Sequence, residues 1–334
     1  MRLEVEPLSE QQLHDMLCAA LDAERGAVEC VSRQVFKRRH DWRGSRLFEK
    51  LAVRVGGEPF PALLLKYYQP ADEQLSLSMA AEREASVYRQ LLAGAELGNP
   101  RFFGHHRLNG SGAGLLLMEF VEGRRLKKFA DEHTWTETAR WLAAMHHRFS
   151  GANGVDAFPS LVRHDSGFLW TMATTATELA ARSSTRAGAL MDQVLKRYQR
   201  VVDPLTVEPA TLVHGEFYCT NILVGKNGED RRICAFDWET AAGGCAFLDL
   251  TCLVQQRRRQ VVIDRARVIE AYLEARCELG GRHVSVAEAE AQMQRCRIQG
   301  LMFDIWTGVT CRHLPPEKIE EYAQRATQQL DALE

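Results

Sequence analysis

The chain contains, at residues 212–224, a polar segment enclosed by two apolar runs: Leu212-Val213-His214-Gly215-Glu216-Phe217-Tyr218-Cys219-Thr220-Asn221-Ile222-Leu223-Val224. The apolar ends are typical of buried strands, and the polar centre with its glycine predicts a loop. A turn at 225–228 leads to a second apolar run, Ile233-Cys234-Ala235-Phe236-Asp237-Trp238-Glu239. We therefore predict a polar loop between buried segments, followed by a hairpin that ends at the carboxylate of Asp237.

These two segments bring together side chains with oxygen ligands. The loop offers the Glu216 carboxylate and the Asn221 amide, and the hairpin offers Asp237 and Glu239. Mg²⁺ favours carboxylates and phosphate oxygens. Phosphoryl transfer needs a carboxylate near the acceptor hydroxyl and metal ligands close by. The pattern therefore indicates chemistry of this class.

The order His-Gly-x-x-x-x-x-Asn, followed by a hydrophobic residue and Asp-Trp-Glu, resembles the aminoglycoside phosphotransferase family. That family shares the protein-kinase-like fold. The resemblance implies an α+β bilobal protein. A small β-rich N-terminal lobe, preceded by a helix, would cover residues 1–122, and a larger helical lobe with the catalytic loop would cover 123–334. The family motif is usually His-x-Asp-x-x-x-x-Asn, whereas this chain has Glu216 at the aspartate position.

The resemblance also implies a function. The protein is expected to use ATP and Mg²⁺ to move the γ-phosphate to a hydroxyl of a small molecule, such as an amino sugar, an antibiotic or a related natural product. One alternative is a Ser/Thr kinase that acts on a peptide in natural-product biosynthesis. The other is a non-catalytic nucleotide-binding scaffold, which would need none of Lys66, Glu84, Asn221 and Asp237.

The composition of the chain bears on the partners and the compartment that we expect for the protein. The 334 residues are 46% hydrophobic and carry a net charge of −2, so no global basic signal points to nucleic acid or a membrane surface. The longest apolar runs, such as Leu115 to Met118, are too short to span a bilayer. The first residues are not followed by the apolar region of a signal peptide. The nine cysteines form no C-x-x-C pair, and reduced thiols in a cytoplasmic protein are the simplest expectation.

Strands are predicted at 31–36, 50–55 and 62–68, with a loop at 38–46 between the first two. The loop has one glycine, so it is not a glycine-rich phosphate loop. By resemblance it covers the nucleotide, with Ser45 and nearby backbone amides at the phosphates and Arg43 or Arg46 adding positive charge. The alternative is a solvated hairpin loop.

Lys66 lies inside the apolar strand 62–68, where a charge is costly unless it is paired. Glu84 offers the partner, because a helix near 79–93 would place it on the apolar face with Val87 and Leu91. This strand lysine and helix glutamate resemble the kinase ion pair that orients the ATP phosphates. Alternatively, Lys66 extends to solvent at a strand edge and Glu84 lies at a helix margin.

The apolar run at 115–118 leads into a bend that resembles the hinge between kinase lobes. The resemblance places Met118 at the back of the adenine pocket. The backbone groups of Glu119 and Val121 would then bind the adenine edge. Because backbone recognition leaves little trace in side chains, a plain strand and turn remains the alternative.

The remaining roles also follow from the resemblance. Lys66 contacts the ATP phosphates and Glu84 holds it, while Asn221 and Asp237 bind Mg²⁺. Glu216 takes the base position and accepts a proton from, or orients, the acceptor hydroxyl.

His214 is expected to brace the loop. Glu239 faces the acceptor region, where it could hold a cationic or hydroxyl group, or it makes a supporting hydrogen bond instead. Asp249 is predicted to cap the helix that follows it, and His146 is predicted to be a hydrogen-bonded core histidine. Thr134 and Glu137 match a capping box.

Overall fold

The computed structural model describes residues 6–70, 80–108, 113–151, 154–227, 230–255 and 262–333. The chain forms two compact units. The first unit consists of Met1–Arg124 and Ile222–Thr240, and the second of Arg125–Asn221 and Ala241–Glu334. The predicted lobe boundary after residue 122 stays a prediction. The hairpin that carries Asp237 packs with the N-terminal unit.

The first unit is built on an antiparallel five-stranded sheet with the order β1-β2-β3-β5-β4. Its strands are β1 (Val28–Asp41), β2 (Gly44–Val55), β3 (Glu58–Pro70), β4 (Phe102–Arg107) and β5 (Gly114–Glu119). The three predicted strands are present and longer than expected. One face of the sheet packs on α1 (Glu10–Ala20), which begins at a capping box formed by Ser9 and Gln12.

The predicted loop at 38–46 is wrong. β1 and β2 pair as far as Asp41 and Gly44, so Trp42 and Arg43 alone form the turn. Gly44 has φ of 125°, a conformation that favours glycine. The Ser45 Oγ lies 2.8 Å from the His40 Nδ1 across the strand pair. The strand was missed because its side chains are polar and meet charged partners rather than an apolar core.

The helix α2 (Ala80–Ser86) continues into a π-helical turn, Val87–Leu92. Glu84, Val87 and Leu91 are all buried, which confirms the predicted apolar face. A two-residue strand, β6 (Arg124–Arg125), lies at the junction of the two units in the sequence. The hairpin predicted before Asp237 is also present.

The strands of that hairpin are β8 (Ile222–Asn227) and β9 (Asp230–Ala235), which pair in antiparallel register. The second unit is mostly helical and also has a two-stranded sheet. Its strands are β7 (Thr211–Val213) and β10 (Ala242–Gly244). Its helices are α3 (Glu132–Arg148), α4 (Ser166–Ser183), α5 (Thr185–Leu195), α6 (Gln199–Thr206), α7 (Phe247–Val254), α8 (Arg265–Glu278), α9 (Val286–Thr310) and α10 (Pro316–Asp331).

Helix α3 begins earlier than the predicted capping box. Asp131 is the N-cap, and its side chain accepts a hydrogen bond from the Thr134 N–H at 2.9 Å. Thr134 is therefore inside the helix, and its hydroxyl also donates a hydrogen bond to the Asp131 carboxylate. Among the helices of the described ranges, none combines the length and the apolar character that crossing a bilayer would require.

Candidate active site

Lys66 is buried in β3 and meets two carboxylates of the first unit. Its Nζ lies 2.8 Å from the Glu84 Oε2 and 2.5 Å from the Asp237 Oδ1. The Tyr68 hydroxyl, two residues along the same strand, also donates to the Glu84 Oε2. The predicted pairing of Lys66 with Glu84 is thus present. The sequence contained no signal that Tyr68 would join it.

The ionisation of this cluster follows from burial and from the opposite charges. Burial by itself lowers the pKa of Lys66, but the carboxylates of Asp237 and Glu84 outweigh it and the pKa is raised. Burial likewise favours protonated Asp237, yet the ammonium of Lys66 outweighs it and holds the pKa below its usual range. For Glu84, burial outweighs Lys66 and raises the pKa. Lys66 is therefore positively charged and Asp237 negatively charged at neutral pH.

The carboxylate of Asp237 reaches Lys66 because the backbone bends at the end of β9. Asp237 has φ of 73°, which is rare for a residue with a side chain. Such a conformation costs about 1–3 kcal/mol and persists only when surrounding contacts hold it. The buried Trp238 supplies one such contact, since its Nε1–H donates to the Ala235 carbonyl at 3.2 Å.

Glu239 is almost completely enclosed, with 1% of its surface exposed. Its Oε1 accepts from the Arg43 Nη1 and its Oε2 from the Arg46 Nη2, each at 2.7 Å. The Arg83 Nη1 donates to its backbone carbonyl at 3.0 Å. A buried carboxylate with both oxygens bonded to arginines matches the alternative in which Glu239 makes supporting hydrogen bonds. The acceptor-binding role of Glu239 stays a prediction.

The segment that resembles a hinge is the end of β5. Met118 is buried there, between Leu64 and Phe102 in the sheet. The Glu119 N–H donates to the Arg101 carbonyl at 2.8 Å, and the Glu119 carboxylate accepts from Arg232. Any adenine contact by the backbone of Glu119 would therefore use its carbonyl.

Val121 follows the strand and is buried. Neither the adenine contact of Val121 nor the phosphate contact of Ser45 is tested by the structure, and both stay predictions.

The polar loop after β7 belongs to the second unit and is held by its own backbone. His214 is fully buried, and its Nδ1 accepts from the Glu216 N–H at 3.3 Å. The Glu216 carbonyl accepts from the Asn221 Nδ2 at 3.1 Å. Gly215 has φ of 81°, which permits the sharp turn before Glu216. His214 and Asn221 thus fix the backbone from which the Glu216 side chain projects.

Asp249 has a role that the sequence reasoning missed. It lies inside α7, which begins at Phe247, so the prediction that it caps the following helix is wrong. Its Oδ2 accepts from the His214 N–H at 2.6 Å and its Oδ1 from the Gly215 N–H at 2.9 Å. An aspartate in an apolar helix requires a partner, and this requirement was the available signal. Asp249 therefore holds the start of the polar loop.

The buried imidazole of His146 contacts both Tyr272 and Asp249. Its Nδ1 lies 2.9 Å from the Tyr272 hydroxyl, and its Nε2 lies 3.4 Å from the Asp249 Oδ2. The Thr211 hydroxyl donates to the His146 carbonyl at 2.6 Å. The prediction of a buried, hydrogen-bonded histidine is confirmed.

The donor set can be compared with the requirements of a metal ion. Within the described ranges, no group of three or more His, Cys, Asp or Glu side chains is arranged to hold a metal. Mg²⁺ is commonly bound by one or two protein carboxylates together with phosphate oxygens. In the first unit, an ionised Asp237 fits that requirement. In the second unit, the Asn221 side chain carries an amide oxygen, which is also of a type that binds Mg²⁺.

Comparison with known proteins identifies the family. The profile described as the phosphotransferase enzyme family matches residues 44–298, which is more than half of the chain. The chain therefore belongs to the phosphotransferase enzyme family. This confirms the predicted family and the prediction of an enzyme that transfers phosphate to a hydroxyl group. A search of curated proteins by sequence found no match.

Several solved structures share the architecture. The GDP complex of wild-type aminoglycoside 2'-phosphotransferase-IIIa has a TM-score of 0.60 and 13% identity, over 97% of this chain and 99% of that one. The ethanolamine kinase of Plasmodium vivax gives 0.58 and 13%, over 97% and 89%. A spectinomycin phosphotransferase with ADP and spectinomycin gives 0.56 and 12%, over 98% and 99%. The predicted α+β, protein-kinase-like fold is confirmed.

We predict that Asp249→Asn slows phosphoryl transfer without weakening nucleotide binding. The new NH₂ group would face one of the two loop N–H donors, and leaving a buried donor unsatisfied costs about 1–3 kcal/mol. A displaced loop should lower the rate of ATP consumption by about 100-fold. Initial rates and nucleotide affinity would be measured together.

Asp264→Asn is the matched control, because Asp264 also accepts from two backbone N–H groups, at the start of α8. An unchanged rate in Asp249→Asn would contradict the role assigned to Asp249.

Proposed function

We propose that this protein transfers the γ-phosphate of ATP to a hydroxyl of a small molecule, such as an amino sugar, an antibiotic or a related natural product. The buried contact of Lys66 with Glu84 and Asp237 is the observation that carries the proposal. A charged lysine beside an ionised aspartate offers both a cation for phosphate oxygens and a ligand for a metal ion.

Mg²⁺, when bound, would neutralise charge on the phosphates. The residues proposed to hold it are Asp237 and Asn221. Lys66 would bind phosphate oxygens, and Glu84 would keep the ammonium oriented. Met118, Glu119, Val121 and Ser45 are the proposed contacts to the rest of the nucleotide.

Glu216 is proposed to accept the proton of the acceptor hydroxyl as that oxygen attacks the γ-phosphorus. The proton would move to a carboxylate oxygen, and ADP would leave with the bridging oxygen. Glutamate has the functional group of aspartate on a longer arm. Because phosphoryl transfer depends chiefly on positioning and electrostatics, the longer arm is compatible with catalysis if the acceptor lies accordingly.

We predict that Lys66→Ala and Asp237→Ala each abolish most of the thermal stabilisation that MgATP provides. A ligand at 100 times its Kd stabilises a protein by about 2.7 kcal/mol, so the loss is readily measured. The shift on adding nucleotide, rather than the absolute Tm, is compared, because both variants also lose a buried ion pair. Lys318→Ala removes an exposed ion-paired lysine and serves as the control. A wild-type protein that no nucleotide stabilises would refute nucleotide binding.

We predict that Glu216→Gln lowers kcat by roughly 10²- to 10⁴-fold, the usual contribution of general acid–base catalysis, with ATP affinity nearly intact. Glutamine keeps the shape of the side chain but cannot accept the proton. Glu216→Asp should also lose activity if the site is built for the longer arm. Full activity in Glu216→Gln would show that Glu216 only positions the acceptor.

The class of acceptor is tested with labelled ATP. A panel of amino sugars, amino alcohols, hydroxylated natural products and Ser- or Thr-containing peptides is incubated with the enzyme. We expect phosphate to appear on small hydroxyl compounds. Transfer to peptides alone would favour the peptide-kinase alternative, and binding of nucleotide with no transfer in any assay would favour the scaffold alternative.

A further inference from the structure

The β1–β2 hairpin ends in a turn of two residues, Trp42 and Arg43, and Arg46 follows in β2. The Arg43 guanidinium lies over the ring of Trp42, at 4.9 Å from its centroid. Arg46 lies over the ring of Tyr68, at 5.6 Å, and the Lys66 Nζ lies 4.7 Å from the centroid of that same ring. The hairpin thus brings an arginine to the lysine that is proposed to bind phosphate.

Glu239 fixes the direction of both arginines. Each of its oxygens bonds to a different guanidinium, so the two cations are held side by side by one buried carboxylate. Glu239 is two residues after Asp237, the carboxylate that binds Lys66. The short segment 237–239 therefore orients all three cations.

This cluster of charged side chains has a net positive charge, which would attract an anion. Five cationic side chains face four carboxylates, an excess of one positive charge: Arg39, Arg43, Arg46, Lys66 and Arg83 against Asp41, Glu84, Asp237 and Glu239. Burial tends to lower the pKa of Arg46, but Glu239 and Asp41 outweigh it, so the guanidinium stays charged. The Arg46 Nε is buried and has no hydrogen-bond partner among the described residues. A guanidinium with an unused donor suits a phosphate oxygen.

We propose that Glu239 is a positioning residue that preorganises Arg43 and Arg46 to bind the nucleotide phosphates. The arginine pair takes the part that backbone amides have in a glycine-rich loop. Long side chains lose conformational freedom when they bind, and holding them beforehand reduces that cost. The proposal rests on the proposed function and specifies how the same site recognises its nucleotide.

The test is a series of ligands that differ only in phosphate number: adenosine, AMP, ADP and a non-hydrolysable ATP analogue, each with Mg²⁺. Dissociation constants are measured by calorimetry for wild type, Glu239→Gln, Arg46→Gln and Arg46→Lys. We expect Glu239→Gln and Arg46→Gln to weaken binding of ADP and the ATP analogue by about 10- to 100-fold, as for the loss of a charged hydrogen bond. Adenosine affinity should be unchanged.

Two further variants test whether Glu239 affects phosphate binding through Arg46 or independently of it. Arg46→Lys keeps the charge and should restore part of the lost affinity. The double variant Glu239→Gln with Arg46→Gln should lose less affinity than the two single losses of binding free energy added together, because the part of the Glu239 effect that acts through Arg46 is already absent.

The matched control is Glu49→Gln. Glu49 is equally buried, at 1%, and accepts from the Arg33 Nε and Nη2 at 2.9 Å. It lies on the other face of the same sheet, since β2 alternates and Glu49 contacts Tyr67 rather than Lys66. We expect Glu49→Gln to leave the dependence on phosphate number unchanged.

Each other result overturns the inference. An equal loss for adenosine and ATP would show a merely structural role. Tighter binding in Glu239→Gln would show that the carboxylate masks the arginines, and unaltered affinities would show that they do not reach the phosphates. If wild type binds neither ADP nor the ATP analogue, the proposed function itself fails. If wild type binds both and the variants match it, only the inference about Glu239 fails.

Discussion

A single buried ammonium determines the arrangement of the first unit. Lys66 cannot lie in an apolar strand without opposite charge, because an unpaired buried charge is far more costly than a paired one. Its two partners come from the helix after the sheet and from the bend after β9, and the latter is 171 residues away in the sequence. One electrostatic requirement therefore brings β3, α2 and β9 together, and it also accounts for the strained backbone of Asp237.

Buried carboxylates that pair with a specific donor occur at three places in the chain. Asp237 binds the lysine, Glu239 binds the arginines of the hairpin, and Asp249 binds the backbone of the polar loop. All three carboxylates are buried, and each accepts hydrogen bonds from the groups just named. Such partners make a position rigid, because moving either group would leave a buried charge unsatisfied. In each unit these polar groups are thus held by carboxylates that are themselves buried.

The glutamate in the polar loop can be understood in this setting. The backbone on both sides of Glu216 is fixed by His214 and Asn221, and the start of the loop is fixed by Asp249. Because the backbone cannot shift freely, the extra methylene of glutamate moves its carboxylate outward from a defined point. Compared with an aspartate at this position, Glu216 therefore carries the same functional group further from the backbone.

The amino-acid sequence alone determined the family, the presence but not the full length of the first three strands, and the pairing of Lys66 with Glu84. Each depended on local patterns: the spacing of a motif, the alternation of apolar residues, and a charge in an apolar run that required a partner nearby. The tertiary structure alone decided which partners the distant charges meet. Arg43 and Arg46 lie 196 and 193 residues from Glu239, and Asp249 lies 35 residues from His214. No local pattern specifies such pairs, because many arginines and carboxylates are chemically equivalent until the fold places particular ones within hydrogen-bond distance.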